Sequence, residues 1–284
     1  MKKFLLSAIC IMALLFAGCE PNAPSTTLKG IGEFSVSSNK KVTFSPGNLQ
    51  YTQSTNTWSF ASTQYEIIGT DNVTGGSVES DSTYGYSKYG DALADKVDLF
   101  GWSTSKTNFG VSKSDDYHDY YGSFVDWGTN TIGNDAPNTW RTLTKDEWKY
   151  LRNSRTNADD LCGVAQVNGV NGLIFLPDNW TCPAGVTFKS GFYSYYGAEG
   201  YAACQTFTAD QWSKLESAGA VFLPASGERY DSVVRDVQYG DGYWSATEEY
   251  DLYAYCLYCF SEEAYVNYSY RYFGRSVRLV KDIQ

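Results

Sequence analysis

From Phe34 onward, apolar and polar residues alternate in short runs: Phe34/Val36, Val42/Phe44, Leu49/Tyr51, Trp58/Phe60 and Tyr65/Ile67. A period of two, broken at Ser37-Ser38-Asn39-Lys40 and Ser45-Pro46-Gly47-Asn48, predicts short antiparallel strands. Thr70–Tyr89 is polar and glycine-bearing and reads as a loop. Asp98-Leu99-Phe100-Gly101-Trp102 and Asp126-Trp127-Gly128 read as buried aromatic turns. Two helices follow with matching starts, Thr144-x-Asp146-Glu147-Trp148-x-x-Leu151 and Thr208-x-Asp210-Gln211-Trp212-x-x-Leu215. In each, threonine is placed as N-cap and Glu or Gln three residues later closes a capping box. Trp and Leu at i, i+3 mark one buried face. Strand ends follow each helix, at Phe175-Leu176-Pro177 and Phe222-Leu223-Pro224.

The pattern changes near the carboxyl end. Between Tyr250 and Phe273, eight of 24 residues are tyrosine, against 16 in the other 260. That density exceeds what a half-buried sheet needs and points to exposed phenols on a binding surface. Its expected members are Tyr250, Asp251, Tyr253, Tyr255, Cys256, Tyr258, Tyr265, Asn267, Tyr268, Ser269, Tyr270, Tyr272 and Phe273. The run Tyr268–Phe273 reads as loop-like. Trp244, Arg271, Gly274 and Val277 fall to the scaffold. Tyrosine suits such a surface: it offers a large area, two χ angles to freeze and a hydroxyl that donates or accepts.

Lys2-Lys3 and the apolar run Phe4–Ala17 have the form of a secretory signal, too short to span a bilayer. Leu15-Phe16-Ala17-Gly18-Cys19 resembles the lipobox of bacterial lipoproteins, which implies cleavage before Cys19, lipidation of that thiol and an outer-membrane anchor exposed at the cell surface. Residues 20–30 then form a polar tether, and 31–284 form one domain. Its N-terminal β/loop part is 31–135, and its helices and ligand-binding part are 136–284. Loss of residues 1–18 removes two lysines and takes the net charge from −10 to −12. Such an acidic chain lacks the cations that nucleic-acid binding requires.

Few residues carry chemistry of their own. Cys162, Cys182, Cys204, Cys256 and Cys259 are odd in number, so at least one stays unpaired within the chain, while a Cys162–Cys182 disulfide is open. Cys256-x-x-Cys259 imitates a redox or zinc motif, but its surroundings read as strand, where residues three apart face opposite ways. Asp115, Asp116, His118 and Asp119 read as a solvated loop, with a metal site as the alternative. No nucleophile elbow, His-Glu-x-x-His or phosphate loop occurs, and the one histidine is His118. Glu248/Glu249 and Glu262/Glu263 are adjacent pairs, which diverge on a strand rather than converging on one bond. The expectation is a non-enzyme without cofactor or metal.

Trp140–Trp148 and Gly274–Val280 resemble the helix start and closing strand of formylglycine-generating-enzyme-type domains. Phe44–Tyr51 and Tyr243–Glu248 resemble gut-bacterial surface lipoproteins, among them variable proteins of diversity-generating retroelements. The resemblance implies an α+β, C-type-lectin-like fold, loop-rich, with two helices, a small twisted, mostly antiparallel sheet and paired N- and C-terminal strands. Phe34–Val36 and Val277–Val280 are the expected pair. It also implies that adenine-directed copying scatters asparagine codons, reaching residues that include Tyr, Asp, Asn, Cys, Phe, Ser, Leu, Val, Arg and Gly but never Lys, Gln, Glu, Met or Trp. Tyr250–Cys259 and Tyr265–Phe273 contain none of those five, and Glu262 and Glu263 fall between the two blocks. The implied partner is a protein or glycan at a cell surface. An invariant adhesin or glycan-binding lipoprotein remains as an alternative, and an enzyme of formylglycine-generating type, on Cys256 and Cys259, as a second.

Overall fold

In a computed structural model, residues 32–193 and 197–283 are described; the expected signal, Cys19 and the tether lie outside them. The domain is mixed α/β and strand-rich, with six small sheets and three α-helices among the described residues. Paired strands run antiparallel except Cys162–Val167 beside Gln205–Phe207.

Both capping boxes form. The Thr144 and Thr208 hydroxyls each accept from the N–H three residues on, at 3.2 Å, and Glu147 and Gln211 accept in return from the threonine N–H groups at 2.9 Å. This reciprocal pairing satisfies donors that a helix start otherwise leaves open. The first helix runs only Lys145–Lys149 before continuing as a π-turn over Tyr150–Ser154; the second runs Ala209–Ser217. Trp148, Leu151, Trp212 and Leu215 are all buried, as their spacing predicts. A third helix, Gly197–Ala202, has no counterpart in the sequence reading.

Four of the five alternating runs are strands: Phe34–Ser37, Lys40–Phe44, Leu49–Thr52 and Thr57–Phe60. Tyr65–Ile67 is not. The Glu66 carboxylate accepts from the Ser62 N–H and hydroxyl and from Gln50, closing a turn in which the Glu66 N–H reaches the Thr63 carbonyl. The expected loop Thr70–Tyr89 instead contains a hairpin, Val78–Asp81 against Gly85–Tyr89. Asp81 accepts from the N–H groups of Thr83 and Tyr84, and Gly85 takes φ +80°. Every residue of Val78–Asp81 is exposed, so this strand has no apolar face for alternation to reveal.

The expected pairing of the terminal strands does not form; both lie in one sheet, on either side of a third strand. Phe34–Ser37 folds back on Lys40–Phe44 through a two-residue turn, and Lys40–Phe44 takes Val280–Ile283 on its other side. The local hairpin wins because its turn is short and its register immediate. Arg141 then ties the closing strand to the first helix, donating to Asp282 at 2.7 Å and 2.9 Å and to both Glu147 oxygens at 2.8 Å.

Cys162, Cys182 and Cys204 are free thiols, so the open Cys162–Cys182 disulfide is not formed. Burial pushes the Cys162 thiol up to about 12 and the Cys204 thiol up to about 11, leaving both protonated and unreactive at neutral pH.

Two carboxylates set opposed pH dependences. Full burial raises Asp98 to about 6, although it accepts from the Ile68 N–H and the Asn72 amide. Glu66 is lowered to about 2; its partial burial acts upward, and hydrogen bonds from Ser62 and Gln50 outweigh it. The native state therefore holds the Asp98 proton more tightly than the unfolded chain, so stability falls as pH rises from about 4 to 6, by about 3 kcal/mol. Glu66 contributes stability above its ordinary range and loses it as pH falls toward 2. The urea midpoint is expected to be higher at pH 4.5 than at pH 7, with the difference reduced in Asp98→Asn; a midpoint rising steadily from pH 4.5 to 7 refutes this.

Candidate ligand-binding surface

Three antiparallel strands carry the tyrosines: an inner strand Gly240–Glu249, a middle strand Tyr253–Phe260 and an edge strand Ala264–Tyr270. Side chains alternate across the sheet. Tyr253, Tyr255, Leu257 and Cys259 share one face; Ala254, Cys256, Tyr258 and Phe260 share the other. Each face is covered over only half its length. Leu257 and Cys259 are buried with Phe34, Phe44 and Trp148, whereas Ala254 and Cys256 are buried with Trp102, Trp127 and Trp244. The tyrosines consequently emerge at opposite corners.

On the first face Tyr253 lies opposite Tyr270 and Tyr255 opposite Tyr268. Their rings meet in a chain, Tyr255–Tyr268 at 6.2 Å, Tyr268–Tyr253 at 5.1 Å and Tyr253–Tyr270 at 4.7 Å. The contacts run on through Tyr272 to Phe273, each step at 5.1 Å, and Tyr230 packs on both at 5.7 Å. On the second face Tyr258 lies opposite Tyr265, rings 5.3 Å apart, beside Phe260. The Arg275 guanidinium joins the halves, 5.7 Å from Phe273 and 4.8 Å from Tyr258. One aromatic band thus wraps around the edge strand. Tyr250 is 80% exposed at the preceding turn, Tyr268 48% and Tyr270 39%. Asp251 and Asn267 are also exposed, and Tyr253, Tyr255, Tyr258, Tyr265, Tyr272 and Phe273 are half-buried.

Two expected members do not reach this surface. Cys256 is fully buried under the sheet among tryptophans, and Ser269 is 5% exposed, its hydroxyl accepting from Arg275 Nε at 3.0 Å. Both occupy the inward phase of their strands, which a count of tyrosines does not register. Nor is Tyr268–Phe273 loop-like throughout, because strand pairing continues to Tyr270. Cys256 and Cys259 lie on opposite faces in separate clusters. Sequence reasoning missed Phe260, Arg275, Lys145 and Tyr230. Phe260 was findable, two residues beyond Tyr258 on the same strand face. Tyr230 comes from a distant strand and left no local signal.

Three of the phenols, Tyr253, Tyr255 and Tyr258, are raised above the ordinary tyrosine range. Tyr255 is pushed up to about 12, first by its hydrogen bond to Glu249 and then by burial, while Lys145 Nζ sits 4.2 Å from its ring centre. Tyr253 is raised by hydrogen bonding to Tyr270, and Tyr258 by burial. Neutral phenols keep an O–H to donate.

Beneath the band lies a rigid frame. Trp244 and Val277 are fully buried, and Trp244 Nε1 donates to the Phe100 carbonyl at 2.7 Å. Arg271, 2% exposed, donates to the carbonyls of Tyr120, Gly122, Tyr250 and Tyr253 and to Glu248, and lies 4.3 Å from the Trp102 ring. At Gly274 any Cβ would come within 2.9 Å of Arg229, so the chain passes there only without a side chain. Asp116 caps the turn Tyr117–Tyr120, Asp119 accepts from Ser114, and Asp115 accepts from the Tyr230 hydroxyl at 3.1 Å. Among the described residues no His, Cys, Asp and Glu group is arranged to hold a metal.

Scanned against models of protein families and searched against curated proteins and solved structures, the chain found no match.

Replacing Arg271 by alanine removes a buried charge's entire set of contacts and leaves four carbonyls short of a donor. Its expected cost is about 3–5 kcal/mol in urea denaturation. A loss below about 1 kcal/mol, the range of exposed ion pairs, would show that the guanidinium does not hold the frame.

Proposed function

We propose that this is a lipid-anchored, outer-membrane protein of C-type-lectin-like fold, displayed at the cell surface to bind protein or glycan ligands. Its tyrosine-rich face, about 250–273, is diversified by a retroelement. The observation that carries the reading is the division of labour within that stretch: outward positions hold Tyr253, Tyr255, Tyr268 and Tyr270 in mutual contact, and inward positions hold the core. The two capped helices, and a closing strand that shares a sheet with the first two strands, support the fold assignment. Rigid aromatic side chains lose little freedom on binding, whereas ordering a flexible one costs roughly 0.5–1.5 kcal/mol. Affinity then comes from a few aromatic anchors and from the avidity of many anchored copies.

The same geometry says where variation is tolerable. In gene copies from related cells, substitutions are expected at 250, 251, 253, 255, 267, 268, 270 and 272 and absent from Ala254, Cys256, Leu257, Cys259, Ser269 and Arg271. An imperfect template repeat and a reverse-transcriptase gene are expected nearby. A uniform 3′ end without such a repeat would favour an invariant adhesin.

Alanine at Tyr253, Tyr255, Tyr268 and Tyr270 together is expected to cost at most about 2 kcal/mol, since cross-strand pairs contribute roughly 0.2–1 kcal/mol each. Peptides selected from a display library on the intact protein should no longer bind this variant. Unfolding of the variant would mean that the rings are core.

A further inference from the structure

The second face of the sheet carries a site of different chemistry. Between the edge of the band and the strand Val233–Val237 lies an open cavity of about 410 Å³, within the usual range for small-ligand pockets. Tyr258, Phe260 and Tyr265 form one wall; the first two rings lie 12° from parallel and Tyr265 lies 25° from Tyr258. Glu228, Asp236, Glu262 and Glu263 supply carboxylates around them.

We infer that this cavity is a binding site for an organic cation, an alkylammonium group held over the aromatic wall and against the acidic rim. The charge balance favours it. Arg275 lines the cavity, yet its Nη2 pairs with Glu228 at 2.8 Å, and Arg235 pairs with the other oxygen of Glu228 at 2.6 Å. Glu228 with its two guanidiniums leaves one positive charge, against which stand the carboxylates of Asp236, Glu262 and Glu263, none in an ion pair to a basic side chain among the described residues. Burial raises Asp236 and Glu262 above the ordinary carboxylate range, and the neighbouring charges of Glu228 and Glu263 add to it. Arg235 and Arg275 act the other way on Asp236 without bringing it back to the ordinary range. Ring faces attract cations through their quadrupole, more strongly as water is excluded. An anion meets carboxylates, and a neutral sugar gains nothing from the net charge.

The site shares Tyr258, Phe260 and Tyr265 with the tyrosine-rich stretch, but its acidic rim goes beyond that reading and does not need diversification. Glu228, Asp236 and Arg275 lie outside 250–273, and Glu262 and Glu263 are residues that scattered asparagine codons do not yield.

Calorimetric titration of the full mature protein tests this with four probes: choline, Nα-acetyl-lysine methylamide, the neutral choline isostere 3,3-dimethylbutan-1-ol, and methyl glucoside. One or both ammonium probes should bind at least roughly tenfold more tightly than the isostere. A preference for choline points to a small quaternary amine as the natural ligand, and a preference for the lysine derivative to a protein side chain. Asp236→Asn with Glu262→Gln should weaken binding at least roughly tenfold, and Phe260→Ala should weaken it independently. The four-alanine variant of the first face should bind ammonium normally, so the two sites fail or stand separately. The inference is overturned if the isostere or the sugar binds as well as the ammonium probes, if neither ammonium probe binds, or if the doubly neutralised variant, folded by circular dichroism, binds unchanged.

Discussion

The fold depends on one buried cation. Arg271 sits at the end of the edge strand, where the sheet meets the tryptophan cluster, and four carbonyls accept from it, two in the segment 120–122 and two at the turn and start of the middle strand. Burying a guanidinium costs several kcal/mol unless its donors are met and its charge is compensated. Here the carbonyl dipoles, Glu248 and the Trp102 ring supply both. The segment 120–122 and the turn 250–253 are thereby held to a single arrangement, and the tyrosine strands leave that point in a fixed direction.

Arg275 and Arg278 extend the device along the closing segment. Arg275, 3% exposed, reaches Ser269, Glu228 and the Tyr258 hydroxyl. Arg278, 1% exposed, donates to the carbonyls of Ser45 and Phe222. Between these arginines, Gly274, Arg275 and Ser276 bridge to Arg229, Phe100 and Tyr243, and the carbonyls of Val277 and Leu279 accept from Leu49 and Ser45. A segment that forms almost no regular strand of its own is thus the seam of the domain. Its backbone groups are satisfied by distant segments, as buried backbone requires.

This seam separates frame from surface. The inward side chains of the middle strand serve two different clusters, so a substitution at Cys256 or Leu257 disturbs packing. A substitution at Tyr255 or Tyr268 alters mainly what the face presents, at the modest cost of a cross-strand ring contact. The diagonal coverage also gives the domain two chemically different faces: phenol rings in edge-on and tilted contact on one, and stacked rings with an acidic rim on the other.

The capping boxes at Thr144 and Thr208 and the first four strands could be read from the chain, because each rests on contacts between residues a few positions apart. The tyrosine concentration likewise marked a stretch whose rings are exposed or half-buried and in mutual contact. Hidden from the sequence were the hairpin Val78–Tyr89, whose first strand is exposed throughout, and the choice of Lys40–Phe44 rather than Phe34–Ser37 as partner of the closing strand. The inward phase of Cys256 and Ser269, the contribution of Tyr230 and the meeting of Asp236 with Glu262 also required the folded chain. Local hydrogen bonding and periodicity are properties of neighbours along a chain. Which side of a strand faces the core, and which distant charges share a cavity, depends on what packs against it, and that exists only once the tertiary structure has formed.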